Sequence, residues 1–260
     1  MTLKASQSLV IVALAVSGAA FAQTKAPEPD YTLSYNIGAV TEYRYRGISQ
    51  TGKKPALQGG VDFAHKSGLY LGAWGSTISW IKDSTTAPNT TKGPIEIDVY
   101  GGYKGSINDT FSYDVGGLQY WYVGNNLGNT AGFANANTFE LYGAVSAGPA
   151  TLKYSQSLGN IFGLPASKNS PYWDLSATFD LGSGWSVVPH VGFQTYKVTP
   201  AISYRDYSLA VNKDIDGLVL SATYVSTNIK AKYGFAYTLP GTGTKDLAGG
   251  TLVLGVKKNF

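Results

Sequence analysis

Apolar and polar residues alternate along most of the chain. In the segment 95–99, for example, Ile95, Ile97 and Val99 alternate with Glu96 and Asp98. Successive side chains of a β-strand point to opposite faces, so a period of two predicts strands with one apolar and one polar face. No stretch after residue 30 has the period of an amphipathic helix that could cover those apolar faces.

The alternation predicts twelve strands. Their predicted bounds are 31–46, 56–65, 69–79, 95–105, 110–123, 136–146, 150–158, 172–181, 185–197, 204–212, 217–226 and 250–260. Most exceed the roughly 9–11 residues that a tilted strand needs to cross a bilayer. A further alternating stretch, Ile229 to Leu239, is placed in the last long connection, and the count becomes fourteen if that stretch also spans.

The connections between these strands differ in length in a regular way. Those after even-numbered strands are short, at 66–68, 106–109, 147–149, 182–184 and 213–216. Those after odd-numbered strands are mostly long, at 47–55, 80–94, 124–135, 159–171, 198–203 and 227–249. Short periplasmic turns alternating with longer outer loops are typical of bacterial outer-membrane barrels. The sequence therefore predicts an all-β, antiparallel, up-and-down transmembrane barrel with both termini in the periplasm.

A soluble fold is the alternative for the same alternation. In a secreted β-sandwich or a lipocalin-like barrel, one face of each sheet is also buried. Neither fold by itself explains strands of this length or the regular change between short and long connections.

The N-terminal residues read as a secretory signal. Lys4 supplies a positive charge, Leu9 to Ala20 form an apolar run, and Ala20-Phe21-Ala22 matches a cleavage site. The run is shorter than the roughly 20 residues of a spanning helix. We therefore predict a cleaved signal peptide at 1–22, a flexible lead-in at 23–30, and the barrel at 31–260.

The C-terminal strand resembles the assembly signal of outer-membrane barrels. Its outward set is Leu252, Leu254, Val256 and the terminal residue Phe260. By that resemblance, the barrel-assembly machinery recognises the strand. Lys258 departs from the apolar pattern, and its long stem allows the charge to reach the headgroups.

Composition narrows the function classes. After removal of residues 1–22, 19 Lys and Arg residues face 16 acids, a balance that gives no reason to expect a nucleic-acid partner. Cysteine is absent, which excludes disulfides and thiolate chemistry. The mean hydropathy of −0.06 excludes a helical membrane protein but suits a barrel.

Five sequence blocks resemble a known family. They are TEYRYRGISQT at 41–51, QGGVD at 58–62, SGLYLGAWGS at 67–76, EIDVYGGY at 96–103 and YDVG at 113–116. With these blocks the chain resembles the TorF family of porin-like outer-membrane proteins, over essentially the whole mature chain. The resemblance implies an outer-membrane barrel with passive transport. It supplies neither a solute nor a set of binding residues.

Catalytic constellations are nearly absent. The two histidines are His65, at a predicted turn, and His190, on the inward face of the ninth strand. Neither has a histidine or carboxylate at metal-ligand spacing, so we predict no metal, no cofactor and no enzyme activity. A Ser or Asp within hydrogen-bond reach of His190 on an accessible surface would favour an outer-membrane enzyme instead.

Inward parity predicts a charged lumen. The predicted pore-lining residues are Glu42, Arg44, Arg46, Glu96, Asp98, Asp114, Glu140, Asp174, His190 and Asp206. Without Asp114 and His190, six acids face two bases near the outer end, which favours cations in an open pore. Alternatively, these charges pair across a narrow lumen and plug it. A separate hypothesis assigns Arg46, Lys53 and Lys54 to anions or lipopolysaccharide phosphates.

Aromatic residues are predicted to form two membrane-anchoring belts. The outer belt is Tyr43, Tyr45, Trp80, Trp121 and Tyr122, and the inner belt is Tyr103, Phe111, Tyr113, Phe179 and Trp185. A sugar-stacking track along Tyr100, Tyr120 and Tyr142 is an alternative role for inward-facing rings.

Two functions remain open from the sequence. The first is an outer-membrane channel for passive diffusion of small hydrophilic solutes, with a preference for cations. The second is a closed barrel with an envelope-structural or surface-binding role. In either case the expected partners are outer-membrane lipid and lipopolysaccharide, with the assembly machinery during biogenesis.

Overall fold

The computed structural model describes residues 29–85, 91–197, 200–229 and 245–260. They form fifteen β-strands: β1 Tyr31–Val40, β2 Arg44–Tyr45, β3 Ile48–Ser49, β4 Ala56–His65, β5 Leu69–Thr77, β6 Ile95–Ser106, β7 Phe111–Val123, β8 Thr138–Ala147, β9 Ala150–Ser157, β10 Pro171–Ala177, β11 Phe179–Gly182, β12 Trp185–Gln194, β13 Tyr204–Ile215, β14 Leu218–Thr227 and β15 Thr251–Asn259. The described helices are 3₁₀ turns at Lys82–Ser84, Leu127–Asn129 and Pro200–Ile202. No helix in these ranges is long and apolar enough to span a membrane.

The large sheet closes into a barrel of twelve wall strands. Each wall strand pairs antiparallel with its neighbours in the chain, and β1 also pairs with β15. β10 and β11 are two parts of one wall strand, and β10 joins β9 to β12, which completes the ring. Closure leaves the described wall without an open sheet edge, apart from the short β11, which pairs only with β12. The predicted twelve-stranded antiparallel barrel is confirmed.

The outward face of the wall is apolar. Leu57, Leu141, Leu209 and Leu254 are 47–66% exposed, although each lies in the middle or outer part of a regular strand. Polar and charged side chains, including Glu96, occupy the alternate, inward positions. A soluble barrel has the opposite arrangement, with apolar side chains inside and polar ones outside. A continuous apolar outer surface requires an apolar environment.

The seam between the first and last strands lies beside the chain terminus. Tyr35 and Phe260 exchange backbone hydrogen bonds of 3.2 and 2.9 Å, while Leu252, Leu254 and Val256 point outward. The Lys258 ammonium donates to the carbonyl of Asp216 at 2.7 Å, in the adjacent short turn. The lysine charge therefore sits at the barrel end that carries the short connections. We call this the turn end and the opposite end the loop end.

The first predicted strand is the one that the structure corrects most. It was predicted over 31–46, but β1 ends at Val40. The Thr41 N–H still bonds to the carbonyl of Leu254 at 2.9 Å, and the chain then leaves the wall. The eighth predicted strand, 172–181, is interrupted at Thr178, whose N–H bonds to the carbonyl of Pro149 instead of continuing the ladder.

Two other predictions fall largely outside the described residues. These are the N-terminal segment 1–28 and the alternating stretch 229–239, of which only Ile229 is described. The strands that flank the latter, β14 and β15, pair directly with each other, so the wall has twelve strands as it stands.

Candidate functional site

The connection between β1 and β4, residues 41–55, folds into the barrel lumen. Within it β2 and β3 pair as a two-residue hairpin, in which Tyr45 faces Ile48 and the turn residues are Arg46 and Gly47. Both turn residues have positive φ, 46° and 81°, as a type I′ turn requires. We call residues 41–55 the inner hairpin. Its alternation continues that of β1, which is why the sequence pattern did not separate the two.

Arg46 at the hairpin tip binds the opposite wall. Its Nη1 donates to Gln194 Oε1 and its Nη2 donates to Glu140 Oε2, both at 2.8 Å. The guanidinium also lies 4.0 Å from the centroid of the Tyr172 ring. Burial is the largest single effect and opposes the charge on Arg46, but Glu140, Tyr45 and Tyr120 together outweigh it and raise the pKa of Arg46 above its ordinary value. Because Arg46 accepts a φ that costs a non-glycine residue energy, its side-chain contacts must compensate.

The stem of the hairpin is held by further polar contacts. The Tyr43 hydroxyl donates to Glu96 Oε1 at 2.9 Å, and burial followed by the nearby Glu96 charge raises the pKa of Tyr43. The Tyr45 hydroxyl is hydrogen-bonded to that of Tyr120. Arg44 pairs with Glu42 at 3.1 Å within the hairpin.

The outer loops also hold the hairpin, through backbone hydrogen bonds. The Ser49 N–H donates to the carbonyl of Leu247 at 2.9 Å. The carbonyl of Gln50 accepts the N–H groups of Ser79 and Trp80 at 2.9 and 3.1 Å. The inner hairpin is thus tied to the wall below it and to two loops above it.

Glycine at position 47 is required by space as well as by φ. A Cβ at this position would lie 2.8 Å from the Cβ of Asp206 on β13. We expect Gly47→Ala to displace the hairpin, because a clash is added to the unfavourable φ. The chain has no cysteine, so Ser49→Cys in the buried stem provides a unique thiol. Maleimide labelling of this thiol should be at least about tenfold faster when Gly47→Ala is present.

The control for this experiment is Gly124→Ala. Gly124 also has a positive φ, 67°, but its added Cβ would meet nothing within 4 Å. This variant should leave the labelling rate of Ser49→Cys unchanged. Equal labelling rates of Ser49→Cys with and without Gly47→Ala would show that the close packing of Gly47 against β13 does not determine the position of the hairpin.

His190 lies on the wall between two acids. Its Nε2 is 2.9 Å from Asp174 Oδ2, and its Nδ1 is 3.7 Å from Asp206 Oδ1. The Tyr172 hydroxyl lies within 3.1 Å of both carboxylate oxygens of Asp206. Asp174 is therefore an acid within hydrogen-bond reach of His190, as an enzyme site at this histidine would require. Both imidazole nitrogens face carboxylates, however, and no hydrogen bond in the described ranges joins His190 to a serine. No group of three His, Asp or Glu residues among those described could hold a metal ion.

The hairpin tip separates two cavities in the lumen. The outer vestibule, of about 270 Å³, opens among the long loops. The inner chamber, of about 470 Å³, is lined by wall residues that include Asp98, Lys153 and His190. Tyr45 and Arg46 line both cavities. These two residues therefore lie between the cavities, and we call this place the constriction.

The structure brings nine of the ten predicted lining residues together around the hairpin. Glu42, Arg44 and Arg46 are on the hairpin itself, so their predicted place in the wall is wrong. The wall supplies the other six: Glu96, Asp98, Glu140, Asp174, His190 and Asp206. Asp114 lies apart, where it accepts a 2.5 Å hydrogen bond from Tyr70.

Four of the five aromatic residues predicted for the outer belt face the interior. Tyr43 and Tyr45 are on the hairpin, and Tyr122 is buried on the inward face of β7. Trp80 packs edge-on against Tyr122, with ring centroids 5.2 Å apart. Trp121 alone points outward and is 47% exposed.

The tyrosines of the predicted sugar-stacking track use their hydroxyl groups in hydrogen bonds within the protein. The hydroxyls of Tyr100, Tyr120 and Tyr142 bond to Asp62, Tyr45 and Tyr70, respectively. Sequence reasoning also missed Gln194 and Phe162 at the hairpin tip. Gln194 has inward parity, which was a usable signal, whereas Phe162 lies in a loop that gave none.

Comparisons with known proteins agree with the fold. A family model described as "Bacterial protein of unknown function (Gcw_chp)" matches residues 24–260. The solved KdgM porin, in complex with disordered oligogalacturonate, has a TM-score of 0.52 at 8% identity, covering 88% of this chain and 98% of its own. The NanC porin has a TM-score of 0.50 at 9% identity, covering 88% and 99%. No curated protein matches the chain in sequence. The resemblance to the TorF family stays a prediction.

Proposed function

The chain belongs to the bacterial family Gcw_chp, and from its structure we propose that it is a porin-like outer-membrane channel for passive diffusion of small hydrophilic solutes. The observation that carries the proposal is the lumen. It contains two cavities, and the narrow point between them is formed by a folded-in hairpin with charged side chains. The apolar outward face fits a bilayer, and the alternation of long and short connections fits an outer membrane. Two solved porins share the barrel fold.

The inner chamber is the part of the lumen that meets a solute after the constriction. Arg46 and Arg44 on the hairpin are neutralised by Glu140 and Glu42. Asp98 on β6 lines the chamber, and no described cation forms an ion pair with it. Asp98 is buried and its Oδ1 has no hydrogen-bond partner among the described residues, which disfavours the ionised form. Once ionised, a carboxylate in a narrow pore raises the local concentration of cations. We therefore propose a preference for cations that depends on Asp98 and grows as rising pH ionises its carboxylate.

Single-channel recording in a planar bilayer tests both proposals. With KCl asymmetric across the bilayer and the pH raised to ionise Asp98, we expect stable discrete current steps and a reversal potential of the sign for K⁺ preference. At the same pH, Asp98→Asn should move the reversal potential towards zero by roughly half, since it removes a carboxylate that no described cation neutralises. A barrel that inserts and remains silent would refute the channel.

The control is Asp109→Asn, the same substitution in the exposed turn between β6 and β7. It removes an equal charge at the turn end, outside the lumen. Its reversal potential should match that of the unmodified protein. If both variants shift the reversal potential equally, the effect is one of total charge and Asp98 sets no selectivity.

The second candidate, a closed barrel with a structural or surface-binding role, is favoured by the burial of the hairpin tip. The side chains of Arg46 and Glu140 are only 5% and 2% exposed. A hairpin seated this firmly could close the lumen at all times, and the silent outcome described above would support that function. The signal peptide and the recognition of the C-terminal strand remain predictions from the sequence.

A further inference from the structure

The outer vestibule is lined by rings from several different loops. Trp80, Phe133 and Phe162 come from three separate outer connections, and Tyr45 and Tyr122 add rings from the hairpin and the wall. Diffusion of hydrophilic solutes does not require such a surface. Mostly apolar cavities with a few polar groups at one side are typical of small-molecule sites. Here Arg46, Gln50 and Gln194, with two serines, supply the polar groups.

The rings are held in fixed orientations by one another. The centroid of Phe162 is 5.1 Å from that of Tyr120 and 5.5 Å from that of Tyr45, and both contacts are edge-on. Trp80 meets Tyr122 in the same way. Edge-on contacts are the preferred geometry between aromatic rings. The vestibule therefore presents preformed ring surfaces to an entering molecule.

Two residues at the base of the vestibule have strained backbone conformations. Phe162 has a φ of 48°, in the region that a bulky residue rarely adopts, and its N–H is fixed by Thr138 Oγ1 at 2.8 Å. Arg46, which has a similar φ, lies with its guanidinium 6.0 Å from the Phe162 ring. Two strained residues from unrelated loops thus meet at the constriction. Strain of this kind concentrates at functional sites.

The volume limits what can bind. A cavity of about 150 Å³ lined by apolar side chains accommodates benzene. The vestibule, at about 270 Å³, has room for one aromatic ring with a short polar substituent. The polar groups at its floor can then bond to that substituent.

We propose that the outer vestibule binds small monocyclic aromatic compounds, whose ring packs against Phe162 and Trp80 above the constriction. The binding site itself stands on the vestibule geometry. Its place at the entrance of a transport route rests on the proposed channel function. As such a site, it would concentrate aromatic solutes at the narrow point.

Saturation-transfer NMR on the barrel in lipid nanodiscs tests the site with benzoate as the probe. Cyclohexanecarboxylate has the same charge and a ring of the same size without aromaticity. We expect benzoate to give a signal above that of empty nanodiscs, and cyclohexanecarboxylate to bind about tenfold more weakly. Equal binding of the two probes would overturn the proposal.

Phe162→Gly removes the key ring without threatening the fold, since glycine adopts the positive φ freely. We expect it to weaken benzoate binding about tenfold, the scale of losing aromatic contacts. Phe179→Leu removes an outward-facing ring at the turn end and should leave binding unchanged. Unchanged binding in Phe162→Gly would also overturn the site.

Conductance separates this proposal from the channel. A silent barrel that binds benzoate selectively would refute the channel and support the site. A conducting barrel with no preference for the aromatic probe would refute the site and leave the channel standing.

Discussion

Arg46→Ala should raise the single-channel conductance of the barrel at least about twofold, because conductance depends on the narrowest cross-section of a pore. Arg46 makes the two hydrogen bonds that join the hairpin tip to β8 and β12. Its removal leaves Glu140 buried without its cation, a loss of about 3–5 kcal/mol for breaking a buried pair. The wall strands are hydrogen-bonded to each other independently of this pair. The loss therefore destabilises the position of the hairpin in the lumen. The ring of wall strands stays intact.

Two further variants test whether Arg46 limits the conductance by holding the hairpin tip or only by its positive charge. Lys54→Ala removes one positive charge from an exposed position of the same connection and should leave the conductance unchanged. In the double variant Arg46→Met, Glu140→Leu, apolar side chains replace the buried pair, a change that is often neutral or stabilising. It should restore a low conductance. If Arg46→Ala conducts like the unmodified protein, the hairpin is not held at its tip, or it does not limit the current.

The wall of this barrel was predictable from local pattern. A period of two fixes which side chains share a face, and the change between short and long connections fixes which strand ends lie together. Both signals are contained within short stretches of sequence. Glu96 and Asp98 are on the inward face for the same reason that Ile95 and Val99 are on the outward one.

The inner hairpin was not predictable in the same way. Residues 41–46 keep the alternation of β1, and a two-residue hairpin alternates just as a continuous strand does. The one local sign of a turn was Gly47, which follows Arg46 rather than the Asn or Asp usual in a type I′ turn. What fixes the hairpin is the pairing of Arg46 with Glu140 and Gln194, which are 94 and 148 residues away in the chain. Contacts at such separations leave no periodic trace in a single sequence.

The charged lumen shows the same limit. Parity could place six acids and two bases near one another, but it could not say which of them pair. Glu140 meets Arg46 because the hairpin enters the lumen, Glu42 meets Arg44 within the hairpin, and Asp98 meets no described cation. The open and plugged alternatives thus depended on a tertiary contact and not on composition.

Leu209→Arg tests whether the apolar outward face lies in the hydrocarbon core of a bilayer. Leu209 is in the middle of β13 and is 50% exposed. An arginine on the lipid face of a barrel near the bilayer midplane costs about 2–4 kcal/mol. We expect the free energy of unfolding to fall by that amount when the refolded protein is titrated with guanidinium in phospholipid vesicles.

The matched control is Ile215→Arg on the same face of the same strand. Ile215 is the last residue of β13, at the turn end, and is also 50% exposed. Near the membrane interface the same substitution costs only about 0–1 kcal/mol, because the guanidinium reaches water. In a soluble barrel both positions would face water, and the two variants would lose equal and small amounts of stability. A difference of about 2 kcal/mol or more between them therefore requires the depth dependence that only a bilayer imposes.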